Sequence, residues 1–138
     1  MERLILPRPI WPLLAIYFVA SLTHFAHNAE YIAFYPNMPG WITRENVYIA
    51  WAAINAVGLA GLLFVRVGWT GLGLVSLAAY GLMGLDGLGH YTLALCSEHS
   101  LAMNATIWFE VVAGAALAVA CGWFLFRSQL RTPTHAVL

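Results

Sequence analysis

Four long apolar stretches, separated only by short polar or Pro/Gly-rich turns, account for most of this chain of 138 residues. An α-helix rises about 1.5 Å per residue, so about 20 predominantly apolar residues are needed to cross the hydrocarbon core of a bilayer. Four such segments use up the length and leave only short connections and two tails. The expectation is therefore an all-α, integral membrane four-helix bundle, a single domain over 1–138. Composition agrees, with 62% hydrophobic and 9% charged residues and a mean hydropathy of +0.77, whereas a soluble domain carries about 25% charged residues. Six basic residues balance six acidic ones without a run of like charge. No nucleic-acid face and no polybasic lipid anchor follows from that pattern, and the bilayer is the expected partner.

Punctuation residues set the expected span limits. The first runs from about Ile10 to Phe34, with Pro9 and Pro12 early and the Pro36-Asn37-Met38-Pro39-Gly40 cluster as its stop. Thr43 is the expected N-cap of a second span over about 44–65, followed by a tight turn at Arg66-Val67-Gly68. A third covers about 70–95, Ser97-Glu98-His99-Ser100 forms the next turn, and a fourth covers about 100–126. Arg3 and Arg8 precede the first stretch as in a signal peptide, yet no small-x-small cleavage site follows, which reads as a retained span. Arg3, Arg8, Arg66, Arg127 and Arg131 fall on one side of this topology and Arg44 alone on the other. The positive-inside rule then places both termini in the cytoplasm. Cys96 and Cys121 fall near opposite faces and cannot pair within the chain.

The same topology sorts the ionisable residues. His24, His27 and Glu30 close the outgoing first span, Asp86 and His90 lie late in the outgoing third, and Asn104 and Glu110 open the returning fourth. All gather in the outer half of the bilayer, joined by Asn46, Tyr48 and Asn55 of the second span, while the cytoplasmic halves are almost purely apolar. His24, His27 and Glu30 recur every third residue and share one broad helix face. Asp86 and His90 are four apart and project together, and His99, Met103, Thr106 and Glu110 form a stripe. Charged side chains in hydrocarbon cost about 2.5–3.5 kcal/mol each on insertion scales, so a cluster of ionisable residues points to a site.

Two chemistries fit that cluster. Imidazole and carboxylate ligate zinc, iron, manganese or copper, and His24, His27, Glu30, Asp86 and His90 are the candidate metal ligands. The di-iron Glu-x-x-His repeat is matched only in part, since the first span reads His27-Asn28-Ala29-Glu30. Without a metal, carboxylic acids in apolar surroundings hold their protons and a neutral imidazole accepts one, so His27, Glu30, Asp86, His90 and Glu110 are the candidate catalytic residues for acid/base work on a lipid-like substrate. Tyr31, Trp51, Asn55, Met103, Asn104 and Trp108 are the candidate pocket residues. A serine nucleophile is disfavoured, because Ser21 and Ser76 lie away from the polar layer and Ser97 and Ser100 sit in a turn.

Blander readings apply elsewhere. The many glycines are expected to let helices approach closely, and Trp11, Trp41, Trp69 and Trp123 to anchor the interfaces. Asn104 reads as interhelical glue, Glu98 and His99 as a solvated turn, and Glu2, Glu45 and His135 as ordinary exposed polar residues.

His27-Asn28-Ala29-Glu30-Tyr31, followed by Tyr35-Pro36-Asn37-Met38-Pro39-Gly40-Trp41, resembles the bacterial membrane proteins of unknown function named for a His-x-x-Glu-Glu motif, with Tyr31 standing where the second Glu belongs. That resemblance implies a bacterial inner (cytoplasmic) membrane and no particular activity. The order of His27 with Glu30, then Asp86, then Asn104 is similar to the sterol isomerase and sigma-2 receptor superfamily, which implies a hydrophobic ligand entering from the membrane, acid/base work by Glu30 and His27, and no metal.

The leading expectation is a small membrane enzyme or binding protein with an outer-leaflet His/carboxylate pocket for a lipid or isoprenoid-like molecule, acting by metal-assisted or acid/base chemistry. The alternative is an accessory or metal-binding subunit of a larger membrane complex, and the glycines also permit a homo-oligomer. An ion or proton carrier is disfavoured by the apolar cytoplasmic halves.

Overall fold

The computed structural model describes residues 6–130; Glu2, Arg3, Arg131 and His135, named above, lie outside them. Among the described residues the chain is entirely helical, without a strand. Its main helices are α1 (Ile10–Glu30), α2 (Arg44–Arg66), α3 (Thr70–Leu82), α4 (His90–Leu93) and α5 (Leu101–Leu130). With α3 and α4 counted as one segment, Thr70–Leu93, four helices are long and apolar enough to cross a membrane. Neighbouring helices pack in the order α1, α2, α3, α5 and back to α1, which closes a four-membered bundle.

Local chemistry explains the boundaries. Pro9 precedes α1 and Pro12 falls in its first turn, where a missing N–H costs no intrahelical bond. The helix ends at Glu30, four residues earlier than the sequence pattern implied, and a short 3₁₀ turn, Ile32–Phe34, follows. Asn37 then reverses the chain at φ 56°, a conformation that asparagine tolerates better than most residues. Thr43 caps α2 as expected, its hydroxyl accepting from the Asn46 N–H at 3.3 Å. Gly68 at φ 92° makes the turn into α3.

The third span is not a continuous α-helix. It tightens to a 3₁₀ helix over Met83–Gly89 before one α turn, α4. Three glycines, Gly84, Gly87 and Gly89, lower α propensity there, and mid-helix 3₁₀ stretches commonly mark functional or strained segments.

Glycine does set several close approaches. A Cβ on Gly81 would lie 2.6 Å from the Gly114 carbonyl oxygen, so α3 and α5 touch backbone to backbone, and one on Gly73 would lie 2.8 Å from the Gly61 carbonyl oxygen across α2 and α3. The packing expectation fails at Gly71, Gly89 and Gly122, where a Cβ would meet open space. The core between these helices holds Ile10, Tyr17, Leu74, Leu77, Tyr80 and Leu117. Tyr17 and Tyr80 meet edge to face, with ring centroids 4.6 Å apart. Large apolar side chains such as Ile49, Leu63, Val112 and Val119 face outward, as a hydrocarbon solvent favours.

Candidate functional site

The polar residues of α1 separate by helix geometry. Tyr17, Ser21, His24 and Asn28 follow one another at i, i+4, i+7 and i+11 and all turn inward. His24 and Glu110 of α5 meet at the centre of this face, with His24 Nε2 3.7 Å from Glu110 Oε2. Exposure is 2% for His24 and 0% for Glu110. Neither Glu110 oxygen, nor His24 Nδ1, nor the Tyr17 hydroxyl has a protein hydrogen-bond partner within 3.5 Å among the described residues. Most buried polar atoms are satisfied, so four orphans around one pair mark this place as unusual. Ser21 lies beside Glu110. Its oxygen accepts the Trp51 indole N–H at 3.1 Å, which leaves its own proton available to the carboxyl group.

A second layer of rings adjoins the pair. His90 stands edge to face with His24, centroids 5.3 Å apart. The Asn28 side-chain amide donates to His90 Nε2 at 3.1 Å, so that nitrogen acts as an acceptor. Tyr35 lies over His90 at 4.8 Å, and its hydroxyl is 2.9 Å from His27 Nδ1. Burial pushes the Tyr35 hydroxyl up to about 12, so it keeps its proton at neutral pH. His99 completes the layer beside His90 and Tyr91. Expected in a solvated turn, His99 is instead buried, donating from Nδ1 to the Leu95 carbonyl at 3.0 Å. The chain leaves α4 with a 3₁₀ turn, Cys96–Glu98, that folds the histidine back under the loop.

Beside this cluster lies a cavity of about 450 Å³ between α1, the following loop, the start of α2 and the 3₁₀ segment. Its polar wall is His24, Asn28, Asp86 and His90, and Phe25, Pro39, Ile42 and Val47 supply apolar surface. Asp86 is accessible from the cavity, unlike Glu110. Gly87 lines the cavity beside the buried pair and is the short way to Glu110: a Cβ there would sit 3.6 Å from Glu110 Oε2 and 3.8 Å from His24 Nε2. The loop is fastened across this opening by the Asn37 amide, which donates to the Leu93 carbonyl at 2.8 Å.

The expected convergence of His24, His27 and Glu30 does not occur. Two steps of about −60° spread them over too wide an arc: His24 points inward, His27 reaches Tyr35, and Glu30 is exposed and paired with Arg44 and Tyr48. Among the described residues no three His, Cys, Asp or Glu side chains converge as a metal-ion site, so the five candidate ligands are not assembled as a set. Asp86 and His90 do come together on the cavity wall, although the 3₁₀ winding, not a regular α turn, places Asp86.

The expected pocket residues divide as well. Trp51 lies between α1 and α2, and Asn55 lines a second cavity further along that seam. Tyr31 rests exposed on the His27 ring, Met103 is buried, and Trp108 stands half-exposed near Tyr91. Asn104 accepts from the Tyr91 hydroxyl and donates to the Cys96 carbonyl, closing the loop before α5. These four line neither cavity. Sequence reasoning missed Ser21, Asn28 and Tyr35; for the first two, the inward stripe through Tyr17 and His24 was the available signal.

Cys96 and Cys121 are both free, the first exposed and the second buried. Comparison with known proteins gives no match to a family model, to a curated protein or to a solved structure.

Proposed function

We propose that this chain is an integral membrane protein, with both termini in the cytoplasm, that takes a hydrophobic molecule with a polar end into the cavity beside His24 and exchanges a proton with it. The observation that carries this reading is the His24–Glu110 couple, buried and short of partners, one glycine away from a cavity with a mixed polar and apolar lining. An isolated charge in such surroundings costs several kcal/mol. A single proton held between imidazole and carboxyl keeps the couple neutral and ready to act as acid or base. Asp86, open to the cavity, is the complementary group. A base and an acid on adjoining walls are what a proton-transfer isomerisation requires, and apolar surfaces such as Phe25 and Val47 select a lipid-like substrate.

Deuterium exchange tests the reading before the substrate is named. Protein purified with its bound lipid is incubated in deuterated buffer, and the lipid is extracted and weighed by mass spectrometry. Deuterium at carbon is expected with the wild type and lost in His24→Gln and Glu110→Gln, with lipid still bound. Lipid that binds but never exchanges would sink the proton-transfer reading.

A further inference from the structure

Hydroxyl groups on apolar helices usually satisfy themselves. Thr23, Ser76 and Thr106 each donate to a carbonyl of the preceding turn of their own helix, at 2.7, 3.0 and 3.0 Å. Ser21 behaves differently. Its oxygen accepts the Trp51 indole N–H across the α1–α2 seam at 3.1 Å, and among the described residues no helix carbonyl takes its proton. An indole N–H can only donate, so the Ser21 proton is turned away from Trp51 and needs another acceptor. Glu110 of α5 is the acceptor that Ser21 adjoins.

Space filling accounts for a small residue at position 21, and Ala20 beside it is just as deeply buried with no polar atom to place. It does not account for a polar bond drawn in from another helix. Trp51 is itself held, its ring set against Phe18 with centroids 5.7 Å apart and its flank packed on the cluster of Phe25, Ala29 and Val47.

Ser21 and His24 are three residues apart on α1, so both turn toward the same stretch of α5. Glu110 meets them there with two oxygens. Oε2 faces His24 Nε2 at 3.7 Å, and neither oxygen has a bond within 3.5 Å. The carboxyl group thus stands between two partners without being fixed by either, and contacts of this kind often tighten only when substrate is bound. The last torsion of a glutamate is broad, so an unfixed carboxyl group presents its shared proton to His24 only part of the time. A donor on its other oxygen removes that freedom.

We infer that Ser21 and Trp51 are positioning residues of the couple: Trp51 turns the Ser21 hydroxyl toward Glu110, and Ser21 holds one carboxyl oxygen so that the other shares its proton with His24. The inference rests on the proposed function for what the couple does. Neither residue lines the cavity beside His24, so their loss should change proton transfer and leave binding alone.

Infrared spectroscopy of protein isotope-labelled at the glutamate carboxyl carbon reads Glu110 directly, its stretch being the one that Glu110→Gln removes. Ser21→Ala should shift that stretch, in whichever protonation form it is seen. Trp51→Phe deletes the indole N–H and frees Ser21 to bond back to its own helix, so it should shift the stretch as well. The double variant should shift it no further than Ser21→Ala, because both changes act through one hydroxyl. Deuterium exchange should fall about three- to tenfold in each single variant, the worth of one hydrogen bond, with bound lipid as in the wild type and helices retained by circular dichroism. A stretch unmoved in both folded variants would overturn the inference, even if His24→Gln still abolished exchange. Additive shifts in the double variant, or a shift in Ser21→Ala alone, would overturn the part given to Trp51. Shifted stretches in a protein that exchanges no deuterium would uphold the positioning of Glu110 while removing the proton-transfer reading.

Discussion

Arg44 donates two hydrogen bonds to Oε1 of Glu30, at 2.7 and 2.9 Å, and so ties the last residue of α1 to the first residue of α2. The Tyr48 hydroxyl donates to the same oxygen at 2.8 Å. This carboxylate is accessible and already saturated with donors, which makes it a clasp on the connecting loop and a poor candidate for proton transfer. Exposed pairs of this kind contribute little to stability. Glu30→Gln is therefore expected to leave thermal stability, bound lipid and deuterium exchange as in the wild type. Loss of exchange in this variant, with stability unchanged, would return Glu30 to the site.

The His24–Glu110 couple predicts the opposite behaviour. Removing one member of a buried pair strands the other, at a cost of about 3–5 kcal/mol, whereas replacing both by apolar residues is often neutral. His24→Leu and Glu110→Leu should each lower the unfolding midpoint in a detergent titration, and the double variant should recover most of the loss. Additive losses in the double variant would show that the two side chains do not act as a pair.

Much of the bundle is legible in the sequence because its signals are local. Thr43 announces α2 through its hydroxyl, Gly68 announces the turn into α3, and the apolar runs announce the spans. The site is less legible because it depends on how helices face one another. Spacing placed His24, His27 and Glu30 on one broad face, yet only the His24 edge of that face meets α5. The polar stripe Tyr17–Ser21–His24–Asn28 is equally regular, but the sequence reading set Ser21 away from the polar layer, whereas it lies against Trp51 and Glu110. Gly84, Gly87 and Gly89 weaken the α-helix locally, but the 3₁₀ winding of Met83–Gly89 and the close approach of Tyr17 and Glu110 to Gly84 show only in the packed bundle.

Two glycines of that segment should respond differently to the same substitution. A Cβ on Gly84 would lie 2.7 Å from the Tyr17 ring and 3.2 Å from the Glu110 carbonyl oxygen, so Gly84→Ala forces a core tyrosine to move. Overpacking of this kind costs about 1–3 kcal/mol. At Gly87 the nearest atoms are at ordinary contact distance, and Gly87→Ala should change stability by no more than about 0.5 kcal/mol. It nevertheless places a methyl group between the cavity and the couple, so deuterium exchange should fall in a protein that unfolds as the wild type does. Normal exchange in Gly87→Ala would mean that the couple is reached through His24, which lines the cavity, and not past Gly87.

Orientation can be read from the two cysteines. Cys96 is exposed in the connection between α4 and α5, at the end of the bundle that carries Arg44, while Arg8, Arg66 and Arg127 mark the other end. The charge bias toward that second end predicts that Cys96 faces away from the cytoplasm. A membrane-impermeant maleimide added to intact cells producing the chain should therefore modify one thiol, and Cys96→Ser should abolish the reaction. Cys121 is fully buried and should react only after denaturation. Modification of Cys96 only after the membrane is permeabilised would reverse the orientation, and would place the entrance beside His24 and Asp86 in the cytoplasmic half of the bilayer.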